Sequence, residues 1–380
     1  MYEKSVSSEV APEARVIRAI IEIGPRNISE IARRTGLPVE TVRYKVKHQL
    51  PRMGFSIRAI VNSSKLGLAR YWVNLRFSKE YEKLAEQLLD VLSGKGYLTY
   101  YSRVLPYGNY YVMLMLPPEM EREYKLFLDL LVDSGVLTTY KMFKLKFFRH
   151  FSMRPEYFDF RERKWEFDWK SVETEVSEGD PNRIMKIVEE DSERVPFDKI
   201  DLLIIKSLQQ DATRKISEIA EDLGIHPKTV RYHMLQHVMK RGMVDKYGVF
   251  WASGDDREVI WTFFSLVSPV YEDLRMAEEA FTILPFTIFD AISQQGEIYV
   301  AAAAIAAACY VDTLRFINRK TSISDPSALT ELSIIDVRAT KSYTIPVSAY
   351  SEDEGRWVLD LNEIESRVRV TLGEASFPKK

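Results

Sequence analysis

Apolar residues recur at helical spacing near the start of the chain. Val16, Ile17, Ile20 and Ile21 fall on one stripe and predict an amphipathic helix over about 13–23, ended by Gly24-Pro25. Ser29–Thr35 predicts a second helix, and Gly36 supplies a turn whose positive φ glycine takes most easily. In a third predicted helix, Pro38–Leu50, the residues Val42, Val46 and Leu50 recur every four positions and make a buried seam. After Gly54 the pattern changes to that of a strand, Phe55–Asn62, in the place of a wing. The same succession returns later. Ile200–Leu208, Ser217–Leu223 and Pro227–Val238 are its predicted helices, with Val230, Met234 and Val238 as the seam; Gly242 is the stop and Val244–Trp251 the second wing.

A longer pattern follows each wing. Strand Arg70–Ser78 and helix Glu80–Leu92 come first, then strands Tyr97–Leu105 and Tyr110–Leu116, helix Glu119–Val132 and the long strand Val136–Phe151. That order is βαββαβ, one antiparallel sheet backed by two helices. Strands Val259–Ser268, Phe286–Ser293, Ile298–Ala303 and Leu329–Ile345, with helices Glu272–Leu284 and about 307–320, give the order again. The alanine-rich run 301–308 is helical by propensity, but the repeat assigns Ala301–Ala303 to a strand. Phe281, Phe286, Phe289 and Phe316 are then expected to fill the space that short side chains leave. The aromatic residues around Phe147–Phe151 are expected to cover the sheet or the seam between halves.

The two helix-turn-helix units align without a gap. Residues 28–44 match residues 216–232 at ten of seventeen positions, and the offset of 188 holds from Arg26/Arg214 to Gly54/Gly242. One inserted residue would turn a helix face by about 100°, so an unbroken register implies the same buried faces in both copies. The tails also correspond, Trp165 with Trp357 and Asp168 with Asp360, each running into a short polar segment. The expected fold is α+β, with two winged helix-turn-helix domains alternating with two ferredoxin-like βαββαβ domains. Its expected bounds are 1–66 and 67–169, an acidic linker at 170–196, then 197–254 and 255–380.

Charge is uneven along the chain, although the net is only −2. Residues 1–70 hold thirteen Lys/Arg against six Asp/Glu, residues 198–250 nine against seven, and residues 152–197 eight against thirteen. The first helix-turn-helix is therefore expected to bind a polyanion more strongly than the second. The single cysteine, Cys309, excludes an intramolecular disulfide and fits a reducing cytoplasm. The N-terminus lacks a signal-peptide pattern, and no apolar run reaches the roughly 18 residues of a membrane span. The seven Asn and seven Gln are few for this length, which fits a thermophilic, archaeal source.

The run Asp201–Arg214, with Ser217-Glu-Ile-Ala220, Leu223-Gly224, Thr229-Val-Arg231 and Gly242-Met-Val, resembles the DNA-binding unit of the Lrp/AsnC (feast/famine) transcription regulators. Ser63–Leu68 resembles that family's junction between strand and sheet. The resemblance spans about 13–151 and 198–345, and implies a fused pseudo-dimer, capable of further homo-dimerisation, with two sheets packed together and a reading head at each end. Its implied partner is double-stranded DNA on the chromosome, read as adjacent half-sites, with no membrane and no cofactor. It also implies a small-molecule effector, placed near Tyr107, Gly108 and Asn109 and near Gln295 and Gly296. The family tends to carry an acidic residue just after this glycine turn; the segments here are Gly108-Asn-Tyr-Tyr111 and Gly296-Glu-Ile-Tyr299, and an amino-acid effector does not follow. The helix-capping serine of the family is replaced by Pro38 and His226.

Groove-facing candidates on the third helices are Glu40, Thr41, Arg43, Tyr44, Lys45, Lys47 and His48 in the first copy. In the second they are Lys228, Thr229, Arg231, Tyr232, His233, Gln236 and His237. Arg suits guanine, Gln suits adenine, and the Thr methyl can meet thymine. Arg52, Arg58, Lys240, Arg241 and Lys246 are expected on phosphates. His233 and His237 stand one turn apart, but no carboxylate or cysteine completes a ligand set there, so no metal is expected. Two other functions compete. A chromatin-type protein would bind DNA with little sequence preference. Siroheme decarboxylases share the architecture, but such an enzyme needs histidines or arginines in the sheet cavity. The five histidines lie off the middle strands, and Arg103 is the one basic residue on them, so no enzyme is expected.

Overall fold

The computed structural model describes residues 11–166, 169, 184–188, 193–251, 258–321 and 323–373. Most of the acidic stretch 170–196, including Gly179-Asp-Pro181, lies outside the described residues, as does Asp168. The N-terminal head has helix α1 (Pro12–Ile23), helix α2 (Ile28–Thr35) and helix α3 over 39–52. Asn27 caps α2 by accepting from the Glu30 N–H, and Gly36 takes φ 68° at its end, the role its position predicts. Helix α3 contains a π turn, Lys45–Gln49, so its backbone bonds shift from i→i+4 to i→i+5 midway. The later head repeats the layout with α6 (Lys199–Gln210), α7 (Ile216–Leu223) and α8 over 227–239, whose second part, His233–Met239, is also a π turn.

Neither wing stands free. Strand β1 (Phe55–Val61) pairs antiparallel with β9 (Val244–Trp251), so the two heads share one ribbon. Phe55, Ile57, Ala59, Ile60 and Val61 are all buried, a pattern too apolar for a solvated hairpin. Ala59 faces Tyr247, which stands 188 positions later, so in this register a residue meets its own counterpart. Each opening helix packs on the other head's strand, α1 on β9 and α6 on β1. Gly24 shows how close this is: at φ 79°, a Cβ placed there would stand 2.8 Å from the Tyr247 ring.

The remaining long strands form one antiparallel system. Strands β2 (Ala69–Phe77), β3 (Leu98–Leu105), β4 (Tyr110–Leu116) and β5 (Leu137–Phe151) lie in the order β3-β4-β2-β5. Strands β10 (Val259–Val267), β11 (Thr287–Ser293), β12 (Ile298–Ala306) and β13 (Leu329–Ser342) lie in the order β11-β12-β10-β13. The resemblance implies two sheets laid against each other; the long last strands do more. The second half of β5 pairs with β11, and that of β13 pairs with β3, which closes eight strands into a ring. Closure satisfies edges that would otherwise be open to other chains. Trp72, Tyr111 and Phe263 fill the interior, with Tyr111 and Phe263 ring centroids 4.3 Å apart. Phe148 lies with them at the seam, whereas Phe147 joins the core under the outer helices of the second half. Ala301 and Ala303 sit in that same core among Phe281, Phe286 and Phe316.

Helices α4 (Ala85–Leu92) and α5 (Glu121–Asp133) cover the outer face of the first half; α9 (Tyr271–Ile283) and α10 (Tyr310–Lys320) cover the second. Short hairpins β6 (Phe158–Asp159)–β7 (Lys164–Trp165) and β14 (Tyr350–Ser351)–β15 (Arg356–Trp357) follow the two halves. Strand β8 (Ile184–Val188) adds to β5 inside the stretch read as a linker. The short polar segment expected after Asp360 is instead helix α11 (Leu361–Leu372). Asp360 caps it, and Ile364, Val368 and Leu372 bury one stripe. That four-residue spacing was present in the sequence.

Candidate nucleic-acid interface

Helices α3 and α8 each turn one face to solvent. On α8, Lys228, Arg231, Tyr232, Gln236 and Lys240 are exposed and Thr229 is half-buried. Among the described residues, Lys228, Arg231 and Lys240 have no carboxylate partner. His226 caps α8 with its ring, Nδ1 accepting from the Lys228 N–H at 3.1 Å, so the replaced capping serine has a substitute here. Pro38 offers none to α3. On α3, Glu40, Arg43, Tyr44, His48 and Arg52 are exposed and Thr41 is half-buried. Arg43 pairs with Glu40, which stands where α8 has Lys228. Tyr44 and Tyr232 occupy matching positions and are 51% and 57% exposed. On the shared ribbon, Arg58 is exposed and Lys246 half-buried, while Arg241 donates to the Pro196 carbonyl.

Four predicted groove residues face elsewhere. The Lys45 ammonium is buried and donates to Glu13 Oε1 at 2.5 Å and to Gln49 Oε1 at 2.9 Å. Burial opposes ionisation of Glu13, but the Lys45 hydrogen bond and charge outweigh it and hold the carboxyl below its ordinary value. Lys47 reaches across to the other head, donating to the Thr213 carbonyl and to its hydroxyl. His233 and His237 turn inward to Asp201. Their Nδ1 atoms stand 2.8 and 3.2 Å from Asp201 Oδ1, with side chains only 12% and 15% exposed. The physical reason is common to these last two and Lys45: the π segment of each third helix packs on the opening helix of its own head, so positions 45/49 and 233/237 meet that helix instead of solvent. The expectation that no carboxylate stands near the two histidines is thus corrected, since Asp198 and Asp201 both do. Their signal in the sequence was the capping box at the start of α6, where each aspartate accepts from the other's backbone N–H.

The charge ranking of the heads changes with these positions. The first head's surplus lies in part on α2, where Arg33 and Arg34 pair with Glu30, and in part in Lys45 and Lys47. The outer face of α3 keeps Arg43, neutralised by Glu40, and Arg52. Among the described residues, the outer face of the second head's helix keeps three cations without a carboxylate partner.

Of the loops assigned to an effector, Tyr107 and Asn109 line a cavity of about 360 Å³, with Gly108 between them at φ 71°. Arg76 and Lys141 from one half and Ser265, Thr330 and Glu331 from the other complete it. Gln295 is exposed, and neither it nor Gly296 is among its lining residues. Two basic residues missed in the sequence reach the ring through its closure. His150, on the far part of β5, is half-buried with its ring against Phe148, and desolvation of the ring together with Arg70 pushes its pKa down to about 3. Arg149 binds Asp290 through Nε at 2.7 Å, and through its other nitrogens Asp290 again and Glu278, which fastens β5 to the second half. Burial works against the guanidinium's charge, but Asp290 and Glu278 outweigh it and raise its pKa.

The AsnC-type helix-turn-helix domain matches residues 197–233, the second head through the first part of α8. No curated protein matches the chain. The crystal structure of the siroheme decarboxylase NirDL is similar over 94% of this chain and 100% of its own, at 13% identity and a TM-score of 0.56. Its complex with an iron-uroporphyrin III analogue is similar over 93% and 99%, with the same identity and TM-score. That likeness is one of fold. A transcriptional regulatory protein of the AsnC family from Pyrococcus furiosus aligns over 36% of this chain and 87% of its own, at 20% identity and a TM-score of 0.27. No described helix is long and apolar enough to cross a membrane.

Proposed function

We propose that this chain is a DNA-binding transcription regulator of Lrp/AsnC type, a tandem duplication whose two winged helix-turn-helix heads form a pseudo-dimer within one covalent chain. The observation that carries this reading is the exposed cationic face of α8, adjoining a segment that matches the AsnC-type helix-turn-helix. Arg231 and Gln236 are the base-reading candidates and Lys228 and Lys240 the phosphate contacts. Support for the duplication comes from the ribbon register, where Ala59 meets Tyr247, and from the matching strand orders of the two halves. The heads differ, so the reading calls for an imperfect palindrome with half-sites about one helical turn, or a multiple of it, apart. The 360 Å³ cavity beside Tyr107 and Asn109 is the place we assign to an effector.

Footprinting of the full chain on selected genomic fragments tests this. Two protected half-sites are expected, and the double substitution K228A/R231A should remove one of them. A single short footprint indifferent to that change would remove the second head from the scheme. Equal affinity for selected and random DNA would instead favour a chromatin-type role.

A second reading, a siroheme-decarboxylase-like enzyme, draws on the buried Arg70, the half-buried His150 and the whole-chain fold. Against it stand the aromatic rings of Trp72, Tyr111 and Phe263 that fill the ring of strands. Adding an iron tetrapyrrole discriminates: a shifted absorption spectrum with release of carbon dioxide would replace the regulator reading, and no change would leave it in place.

A further inference from the structure

The aspartate–histidine cluster of the second head has no role in reading bases, because both rings face inward. Asp198, Asp201, His233 and His237 each offer one ligand atom, and these atoms all lie within 4.8 Å of one another. We propose that they form a binding site for one divalent transition-metal ion of the zinc class, which ties the start of α6 to α8.

Geometry is the first argument. Four ligands at about 2.1 Å around a tetrahedral ion stand about 3.4 Å from each other. His233 Nδ1 lies 2.8 Å from Asp201 Oδ1 and 3.6 Å from Asp198 Oδ1, and His237 Nδ1 lies 3.2 Å from Asp201 Oδ1. These spacings bracket the tetrahedral edge, so small side-chain shifts admit the ion. The donor set is two imidazoles and two carboxylates, which suits zinc and its neighbours better than magnesium or calcium. The carboxylates are also pre-oriented. Asp201 Oδ2 accepts from the Asp198 N–H and Asp198 Oδ1 from the Asp201 N–H, at 3.1 and 3.0 Å, and each oxygen keeps a further lone pair. Asp201 is fully buried, whereas the Asp198 side chain is half-exposed and gives the ion a way in.

The first head supplies the independent argument. At the same offset of 188, Glu13, Lys45 and Gln49 stand where the second head has Asp201, His233 and His237. There the Lys45 ammonium is bound between Glu13 and Gln49. This place in the head thus accommodates a cation against a largely buried carboxylate. In the second head no Lys or Arg forms an ion pair with Asp201 among the described residues, and two metal-binding rings face it instead. The cation that is built into one head is exchangeable in the other. Its effect on DNA, through the position of α8, rests on the reading given above; metal binding itself does not.

The test uses the full chain, stripped with a chelator and free of DNA, titrated with cobalt(II). One equivalent should bind with the visible absorption of a tetrahedral site, zinc(II) should displace it, and zinc(II) should raise the thermal midpoint of the unsubstituted chain. In the double substitution H233Q/H237Q, with helix content checked by circular dichroism, cobalt affinity should fall by at least about 100-fold. H48Q should bind like the original. Absence of both absorption and midpoint shift in the unsubstituted chain, or undiminished binding by a folded H233Q/H237Q chain, would overturn the proposal. Either failure leaves the DNA reading untouched.

Discussion

The two heads share ten of seventeen residues across their core motif but solve one structural problem differently. Each must hold its third helix against its first. The N-terminal head does so with a buried ion pair, Lys45 to Glu13, and leaves its outer face partly neutralised by the Glu40–Arg43 pair. The later head uses two histidines on Asp201 and keeps Lys228, Arg231 and Lys240 uncompensated outside. The lesson is that a charge count ranks segments, whereas binding depends on which charges reach the surface. By count the first head is the more basic; by the outer face of the third helix it is the second.

The largest effect that would break this contrast is on stability. Lys45→Met leaves Glu13 largely buried without its partner and should cost about 3 kcal/mol in a denaturant titration. The sign with pH follows from the lowered Glu13 pKa. Its contribution is present above the ordinary carboxyl value of 4.5 and fades as pH falls through the lower folded value, so the deficit of Lys45→Met should shrink on acidification. A deficit unchanged down to the acid transition would mean the ion pair contributes little.

Next comes the interface. K228A/R231A should weaken binding to a selected site by about 100-fold, against a few-fold for Arg43→Ala, since a guanidinium or ammonium without a protein partner loses its DNA contact in full. Mobility shifts at one fixed salt concentration measure both, and the reverse ranking would restore the charge-count order. A smaller effect concerns the ribbon. Gly24→Ala, at φ 79° and against the Tyr247 ring, should cost about 2 kcal/mol, while Ala212→Gly at the matching position should cost under about 1 kcal/mol. Smallest is a gain. Glu40→Lys frees Arg43 and adds a cation, and should steepen the salt dependence of binding by about one unit of log–log slope; an unchanged slope would place α3 away from phosphates.

Much of the fold was legible because its signals are local. The four-residue seam Val42, Val46, Leu50 and its counterpart Val230, Met234, Val238 marked the third helices, and all six residues are buried. The repeated order of elements marked the strands, down to the alanine strand β12, where the repeat overrode propensity. Helix α11 was missed although Ile364, Val368 and Leu372 have helical spacing, because acidic and basic neighbours masked the stripe. The exposure of Arg43, Tyr44, Arg231 and Tyr232 was also legible, since helical periodicity opposes them to the seam. Lys45, Lys47, His233 and His237 were misread for one reason. Periodicity places them at the flank of the seam, and only the partner across space decides whether a flank faces solvent or another helix.

Sequence by itself determined the helices, the strands and the likeness of the two halves, because the hydrogen bonding within a helix and the apolar runs and turn residues that bound a strand act over a few residues. Tertiary structure alone decided that the wings pair with each other, that β5 and β13 cross over to close the ring, and that Asp198 and Asp201 meet two histidines more than thirty residues away. Those outcomes depend on which buried backbone and charged groups find partners at long range, and a chain's local pattern states the need for a partner without naming it.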